Sequence, residues 1–243
     1  MSKFSAEPYS KENLASLLEE NLAPNRIQYL YNGSQPLITP HIRERLINWI
    51  FDTARNLSSN PTLPQLAATY IDIFLENKKV SHLNVLELVG TVSIGIALKY
   101  LEGKTLTPKH IFHMLDRNFT VDSIVTTELF LLNCLDWKLS LPTPSEISRA
   151  LLVESCEVSP AKLEEMSDNF AALCLANEEL CKEGDLLISV GSLACAMDKL
   201  GFGQFQNDWL EWIEKTQCLS ANDVLHYKQK VYKALTEIAK SSG

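Results

Sequence analysis

One largely apolar stretch, residues 84–102 (NVLELVGTVSIGIALKYLE), constrains the fold of this chain more than any other feature. No charged residue lies between Glu87 and Lys99, so a helix running through it would have no face suited to water. Strands usually end after about four to eight residues, whereas helices of this length are common. Gly90 and Gly95 would let neighbouring helices approach closely. The stretch therefore predicts a buried helix at the centre of a helical bundle.

Apolar spacing and capping signals predict ten helices arranged as two sets of five, and the stretch described above is the third helix of the first set. Four helix starts pair a side-chain N-cap with a proline suited to the first turn. They are Thr39-Pro40, Thr107-Pro108, Thr143-Pro144 and Ser159-Pro160. The first set comprises residues 41–56, 64–77, 81–101, 108–116 and 121–135. The second comprises 144–154, 160–176, 185–200, 207–214 and 221–239. With nine glycines and no alternating apolar segments bounded by turns, a sheet is not expected.

The two sets of helices are predicted to form a tandem repeat. The sequence Val-Gly-Thr-Val-Ser at 89–93 is echoed by Val-Gly-Ser-Leu-Ala at 190–194, in the middle helix of each set. A short amphipathic helix, Ser10 to Asn21, precedes both sets and is too short to be stable alone. We therefore predict an all-α protein with a helix and linker at 1–38 and five-helix repeats at 39–141 and 142–243.

Composition and charge narrow the range of possible partners and cellular locations. The chain has 243 residues, 46% of them hydrophobic, and a net charge of −8 that is concentrated in the second repeat. Because nucleic-acid affinity depends largely on basic residues, we expect no nucleic-acid partner. The first residues form no apolar signal region, and no membrane association is expected. Six cysteines without a CxxC pair indicate reduced thiols, as in the cytoplasm or nucleus.

The motifs of an enzyme are missing from the sequence. There is no glycine-rich phosphate loop, nucleophile motif or metal-ligand spacing, so we expect no catalytic residue, no metal and no cofactor. His110 and His113 lie three apart on a predicted helix and could be a ligand pair, but a surface helix face is the favoured explanation. These absences favour a protein that acts by binding other proteins.

A group of sequence fragments over residues 38–147 resembles the cyclin box. The resemblance lies in the order and the spacing of the fragments. The fragments are Arg43 with Leu46 and Trp49, Tyr70-Ile71-Asp72 with Phe74-Leu75, Leu88-Val89-Gly90 running to Ala97-Leu98-Lys99-Tyr100, Glu128, and Leu135-Asp136-Trp137 to Leu141-Pro142-Thr143. The second half looks like the more divergent C-terminal cyclin repeat, and the Ser10 helix lies where cyclins carry an N-terminal helix. The resemblance thus covers nearly the whole chain.

The resemblance implies a regulatory subunit that binds and activates a cyclin-dependent kinase by stabilising the active position of a helix in the kinase small lobe. Lys99 and Glu128 match the family's kinase-contacting charges, and a solvated surface role is the alternative for each. The positions that match apolar kinase contacts, with core packing as the alternative, are Ile96, Tyr100, Leu132, Trp137 and Leu139. Localisation in the nucleus and cytoplasm is expected with this role.

Two further groups of residues match family features. Arg43 and Asp72 match an ion pair that joins the first two helices and holds the N-terminal segment. Trp49, Arg45 and Glu87 fall in the patch where many cyclins dock substrates or inhibitors, but Arg45 and Glu87 make it less apolar and give it both charge signs. The alternative function is an adaptor or scaffold that uses the same fold without a kinase.

Overall fold

The computed structural model describes residues 27–107, 110–111, 114–115, 119–155, 161–216 and 219–241. Every regular element in these ranges is helical. This confirms the all-α class predicted from the sequence. The N-terminal helix predicted at Ser10 to Asn21 lies outside the described residues, as does most of the helix predicted at 108–116.

The helices of the first repeat begin and end close to the predicted positions. A 3-10 turn at Gln28–Leu30 precedes them. The helices whose bounds fall within the described residues are α1 (Pro40–Leu57), α2 (Thr62–Asn77), α3 (Asn84–Glu102) and α4 (Val121–Cys134). The side chain of Thr39 caps α1 by accepting the backbone N–H of Ile42, as the Thr-Pro signal predicts. Thr120 caps α4 in the same way by accepting the N–H of Ser123.

In its described residues, 144–155, 161–216 and 219–241, the later part of the chain contains one helix more than predicted. Its helices are α5 (Pro144–Ser155), α6 (Ala161–Ala176), α7 (Glu178–Cys181), α8 (Asp185–Leu200), α9 (Gly203–Thr216) and α10 (Ala221–Ser241). The extra element is the single turn α7, whose start is capped by the side chain of Asn177, which accepts the backbone N–H of Leu180.

The chain forms two compact units that are best described separately. Among the described residues, one unit contains 27–143 together with 172–184, and the other contains 144–171 together with 185–241. The end of α6 and all of α7 therefore belong to the unit that contains α1 to α4, although they follow α5 in the chain.

Helix α3 is the central helix of its unit. It packs against α1, α2 and α4, and its residues from Leu86 to Leu98 are buried with one exception, Glu87. By length and composition α3 could cross a membrane, but 67% of the relevant window is buried inside the protein, as in the core helix of a folded domain. Gly90 permits its close contact with α1, because a Cβ there would lie 2.7 Å from Cζ3 of Trp49.

Helix α8 holds the same central place in the other unit, where it packs against α5 and α10. At Gly191 an added Cβ would lie 2.3 Å from Cδ1 of Tyr227 on α10. Gly90 and Gly191 are the glycines of the two echoed segments. Each therefore lets an aromatic ring lie directly against a central helix, and a larger residue would displace that ring.

Candidate functional site

The two charged residues singled out in the first repeat lie next to each other at the surface. Lys99 is in the last turn of α3, and Glu128 is in the middle of α4. Lys99 Nζ donates to Glu128 Oε1 at 2.5 Å. The side chains remain 43% and 29% exposed. The sequence predicted that both would face a partner but did not predict that they would pair with each other.

The apolar candidates divide into surface and core residues. Tyr100 is 45% exposed and Trp137 is 60% exposed, whereas Leu132 and Leu139 are half-buried. Ile96 is only 3% exposed and packs inside the unit. Of the two roles that the sequence left open for Ile96, core packing agrees with this burial.

The turn that follows α4 presents the indole of Trp137 to solvent in an unusual backbone conformation. Asp136 and Trp137 have φ angles of 49° and 59°, in the left-handed region that is unfavourable for residues with a side chain. The backbone N–H of Trp137 donates to the carbonyl of Leu132 at 3.0 Å, and its indole Nε1–H donates to Asn133 Oδ1 at 3.1 Å. Strained positions of this kind cluster at functional sites.

Helix α4 also carries an exposed apolar stripe that the sequence analysis did not identify. Val121, Val125 and Leu129 recur every four residues and so lie on one side of the helix. They are 68%, 58% and 53% exposed. Their i, i+4, i+8 spacing was visible in the sequence, but the spacing alone did not show that this side of α4 lacks a packing partner among the described residues. Exposed apolar groups that lie together mark interaction surfaces.

We refer to Lys99, Tyr100, Glu128, Leu129 and Trp137 as the α3–α4 surface. Each of these side chains is at least partly exposed, and three of them are large and apolar or aromatic. Aromatic groups beside a few paired charges are typical of protein-binding surfaces. The α3–α4 surface is therefore the candidate functional site.

The second predicted pair, Arg43 and Asp72, lies in the core of the same unit. Arg43 Nε and Nη2 donate to the two carboxylate oxygens of Asp72 at 2.9 and 2.7 Å, and both side chains are 1% exposed. The pair joins α1 to α2. Burial alone would lower the pKa of Arg43, but the charge and hydrogen bonding of Asp72, together with Cys181 and Tyr29, outweigh it, so the pKa of Arg43 is raised.

Further polar groups complete this buried cluster. Tyr29 OH donates to Asp72 Oδ1 at 2.7 Å, and Arg43 Nη1 donates to the carbonyl of Leu175 at 2.9 Å. Burial, followed by the negative charge of Asp72, raises the pKa of the Tyr29 hydroxyl well above its ordinary value. The ion pair thus fixes both the segment that precedes α1 and the end of α6, which gives it a structural role.

The three residues predicted for substrate docking differ in their exposure to solvent. Arg45 is exposed on α1, whereas Trp49 and Glu87 are half-buried. The ring of Trp49 packs against Gly90, so part of the indole serves the contact between α1 and α3. The structure thus brings Trp49 to α3 and leaves Arg45 facing solvent.

The described residues contain no group of three or more His, Cys, Asp and Glu side chains placed to hold a metal ion. His113, one member of the histidine pair considered above, lies outside the described residues.

The protein is all-helical in its described residues, and in each of its two units the helices pack around a buried central helix. The chain matches the family "Cyclin, N-terminal domain" over residues 13–140, more than half of its length. The protein belongs to the cyclin family.

Known relatives agree with this assignment. The chain is 26% identical over 204 residues to G1/S-specific cyclin-D1 of Mus musculus, covering 83% of this chain and 68% of the relative. It is 29% identical over 147 residues to G2/mitotic-specific cyclin cig2 of Schizosaccharomyces pombe, covering 56% and 36%.

Solved structures share its fold. The viral cyclin from Herpesvirus saimiri superposes with a TM-score of 0.75 at 18% identity and covers 91% of this chain and 97% of the viral one. A chain of the CAK complex from Chaetomium thermophilum bound to ATP-gamma-S gives a TM-score of 0.51 at 16% identity, covering 96% and 77%.

Proposed function

We propose that this cyclin binds a cyclin-dependent kinase through the α3–α4 surface and activates it by stabilising the active position of the kinase small-lobe helix. The observation that carries the proposal is the exposed Lys99–Glu128 pair, which lies at the two positions that match the family's kinase-contacting charges and is accompanied by exposed Tyr100 and Trp137. The cyclin would act as a regulatory subunit and perform no chemistry itself.

The physical basis is a shift in the populations of the kinase. A regulatory subunit activates a kinase only to the extent that it binds the active state more tightly than the inactive state. A change from a mostly inactive to a mostly active kinase requires a preference of roughly 5 kcal/mol. The exposed aromatic rings of Tyr100 and Trp137 supply apolar area for such binding, and the paired charges supply direction and specificity.

The strained turn at Asp136 and Trp137 supports the same role. The backbone N–H of Trp137 fixes the turn by donating to the carbonyl of Leu132, and the indole N–H donates to Asn133 Oδ1, which reduces the side-chain freedom that is lost on binding. A rigid exposed aromatic group is an effective anchor for a partner. We place the protein, with its kinase, in the nucleus and cytoplasm.

Kinase activation tests the proposal. Purified protein is titrated into purified monomeric cyclin-dependent kinases while peptide phosphorylation is followed, and the Lys99→Glu variant is run beside the parent protein. Lys104→Glu is the matched control, because Lys104 is also exposed and ion-paired, to Glu102, but follows the end of α3 and lies outside the α3–α4 surface. Circular dichroism verifies that helicity is unchanged.

We expect the parent and Lys104→Glu to activate the same kinase, and Lys99→Glu to bind it tens to thousands of times more weakly. Loss of one charge from a desolvated interface typically costs about 2 to 5 kcal/mol. If no kinase is bound or activated by the parent, the adaptor function replaces this one. If Lys99→Glu and Lys104→Glu lose the same activity, the α3–α4 surface is not the contact.

A further inference from the structure

The side chain of Asn133 accepts the one polar hydrogen of the Trp137 indole. The indole Nε1–H donates to Asn133 Oδ1 at 3.1 Å, and Asn133 is the residue before the last one of α4. Because an indole N–H can only donate, the contact also fixes which end of the Asn133 amide faces the ring. Asn133 is exposed, and Trp137 is 60% exposed. The bond therefore lies at the surface, where water competes for both groups.

The exposure of Trp137 distinguishes this bond from that of a buried tryptophan. In the other unit, Trp209 is 2% exposed, and its indole N–H donates to Ser155 Oγ at 3.1 Å. A buried indole needs such a partner because an unpaired N–H out of reach of water is costly. At Trp137 water can accept the N–H in place of Asn133. The bond is therefore not needed to satisfy a donor, and what it adds is a fixed orientation of the ring.

The backbone after α4 brings the indole back to this helix. The N–H of Asp136 donates to the carbonyl of Asn133 at 3.2 Å, and the N–H of Trp137 donates to the carbonyl of Leu132 at 3.0 Å. These bonds reverse the chain, so that the side chain of Trp137 meets that of Asn133, four residues earlier. The left-handed backbone at Asp136 and Trp137 costs free energy. The fold thus maintains an unfavourable turn that presents one aromatic ring.

Asn133 also connects the indole to the apolar side of α4. It follows Leu129 by four residues, so the two side chains lie on the same side of the helix. Leu129 is 53% exposed. Because the indole is bonded to Asn133, Trp137 and Leu129 form neighbouring apolar parts of the α3–α4 surface although residue 133 itself is polar.

We propose that Asn133 is a positioning residue of the α3–α4 surface. It holds the Trp137 indole in one orientation, so that a partner packs against the face of the ring while the N–H stays with Asn133. A ring that is already ordered loses less conformational freedom on binding. That the partner is a kinase rests on the proposed function, whereas the order of the indole is a property of this chain alone.

The first part of the test measures the order of the indole in the full chain without a partner. In two-dimensional ¹⁵N NMR each of the four tryptophans gives one indole signal, and the signal lost in Trp137→Phe belongs to Trp137. We expect its heteronuclear NOE to be as high as that of the α4 backbone, and to fall in Asn133→Leu, which keeps the size of the side chain but removes the acceptor. Asn133→Asp retains an oxygen acceptor and should retain the NOE.

Asn77→Leu is the matched control. Asn77 is the last residue of α2, and its side chain also makes an exposed hydrogen bond, to the carbonyl of Ile73 at 2.8 Å. This variant should leave the Trp137 indole unchanged. Circular dichroism verifies that each variant is folded. An indole NOE that is the same in Asn133→Leu as in the parent overturns the proposal.

The second part measures affinity for the kinase that the parent protein activates. Asn133→Leu should weaken binding by about 2- to 10-fold, because the ring must then be ordered on binding. In a Trp137→Phe background the same substitution should change nothing, because phenylalanine has no N–H to donate. Equal weakening in both backgrounds, or no weakening in either, would show that Asn133 does not act through the indole. If the parent binds no kinase, the proposed function fails, and the indole NOE alone decides the role of Asn133.

Discussion

The Arg43–Asp72 and Lys99–Glu128 pairs lie in the same compact unit but differ in their access to water. Arg43 and Asp72 are each 1% exposed, whereas Lys99 and Glu128 are 43% and 29% exposed. Water can solvate either member of the surface pair when its partner is lost, but it cannot reach either member of the buried pair. The same kind of contact therefore has very different consequences in the two places.

This difference separates the structural from the functional charges of the protein. The buried pair is tied to Tyr29 and to the carbonyl of Leu175, so it holds several segments of the chain together. The surface pair contributes little to stability and is available to a partner. A charge that is not needed for folding can be used for binding without loss of structure.

The largest effect on stability is expected from Arg43→Met. The substitution leaves the carboxylate of Asp72 buried and unpaired, which typically costs about 3 to 5 kcal/mol of unfolding free energy. Chemical denaturation followed by circular dichroism measures the loss. Arg45→Met is the control, because Arg45 lies on the same helix but is exposed, and it should change stability by no more than about 0.5 kcal/mol. Similar values for the two variants would show that burial does not distinguish these arginines.

A smaller loss is expected from Tyr29→Phe, which removes one hydrogen bond to the buried carboxylate of Asp72. Hydrogen bonds to charged groups contribute about 1.5 to 3 kcal/mol, so the unfolding free energy should fall by this amount at neutral pH.

The stability loss caused by Tyr29→Phe should depend on pH. The pKa of Tyr29 is raised in the folded state, so its contribution is fully present below the ordinary tyrosine pKa of about 10 and is lost as pH rises toward the folded-state pKa. The stability difference between the parent and Tyr29→Phe should therefore shrink above about pH 10. A difference that stays constant through alkaline pH would contradict the assignment of the hydroxyl to this cluster.

The smallest effect on stability is expected from Glu128→Gln at the surface pair. Exposed ion pairs contribute about 0 to 1 kcal/mol, and water can solvate Lys99 in the variant. Lys104→Gln, which breaks another exposed pair, should behave in the same way in the same denaturation experiment. A loss above about 2 kcal/mol for Glu128→Gln alone would mean that the surface pair is structural.

Local signals in the sequence predicted most of the fold. Thr39-Pro40 marked the start of α1 because a side-chain cap and a proline act within a few residues of each other. The uncharged run predicted α3 because eleven consecutive residues without a charge indicate a buried helix. The least accurate bounds were those of α9, predicted at 207–214 and observed at Gly203–Thr216.

Contacts between distant residues could not be predicted in the same way. The resemblance to the cyclin box predicted the pairing of Arg43 with Asp72. It did not predict that Arg43 also donates to the carbonyl of Leu175, because every residue has a backbone carbonyl and the sequence does not single out this one. It marked Lys99 and Glu128 as separate surface charges, since their pairing depends on how α3 packs against α4.

The most direct test of the division between the two pairs is the double variant Lys99→Glu with Glu128→Lys, which keeps an ion pair within the chain but exchanges the charges shown to a partner. We measure its unfolding free energy and its affinity for the kinase that the parent protein activates. We expect stability within about 1 kcal/mol of the parent and a loss of kinase affinity at least as large as that of Lys99→Glu alone. Recovery of kinase affinity in the double variant would contradict the account, because the pair would then serve only to hold α3 against α4.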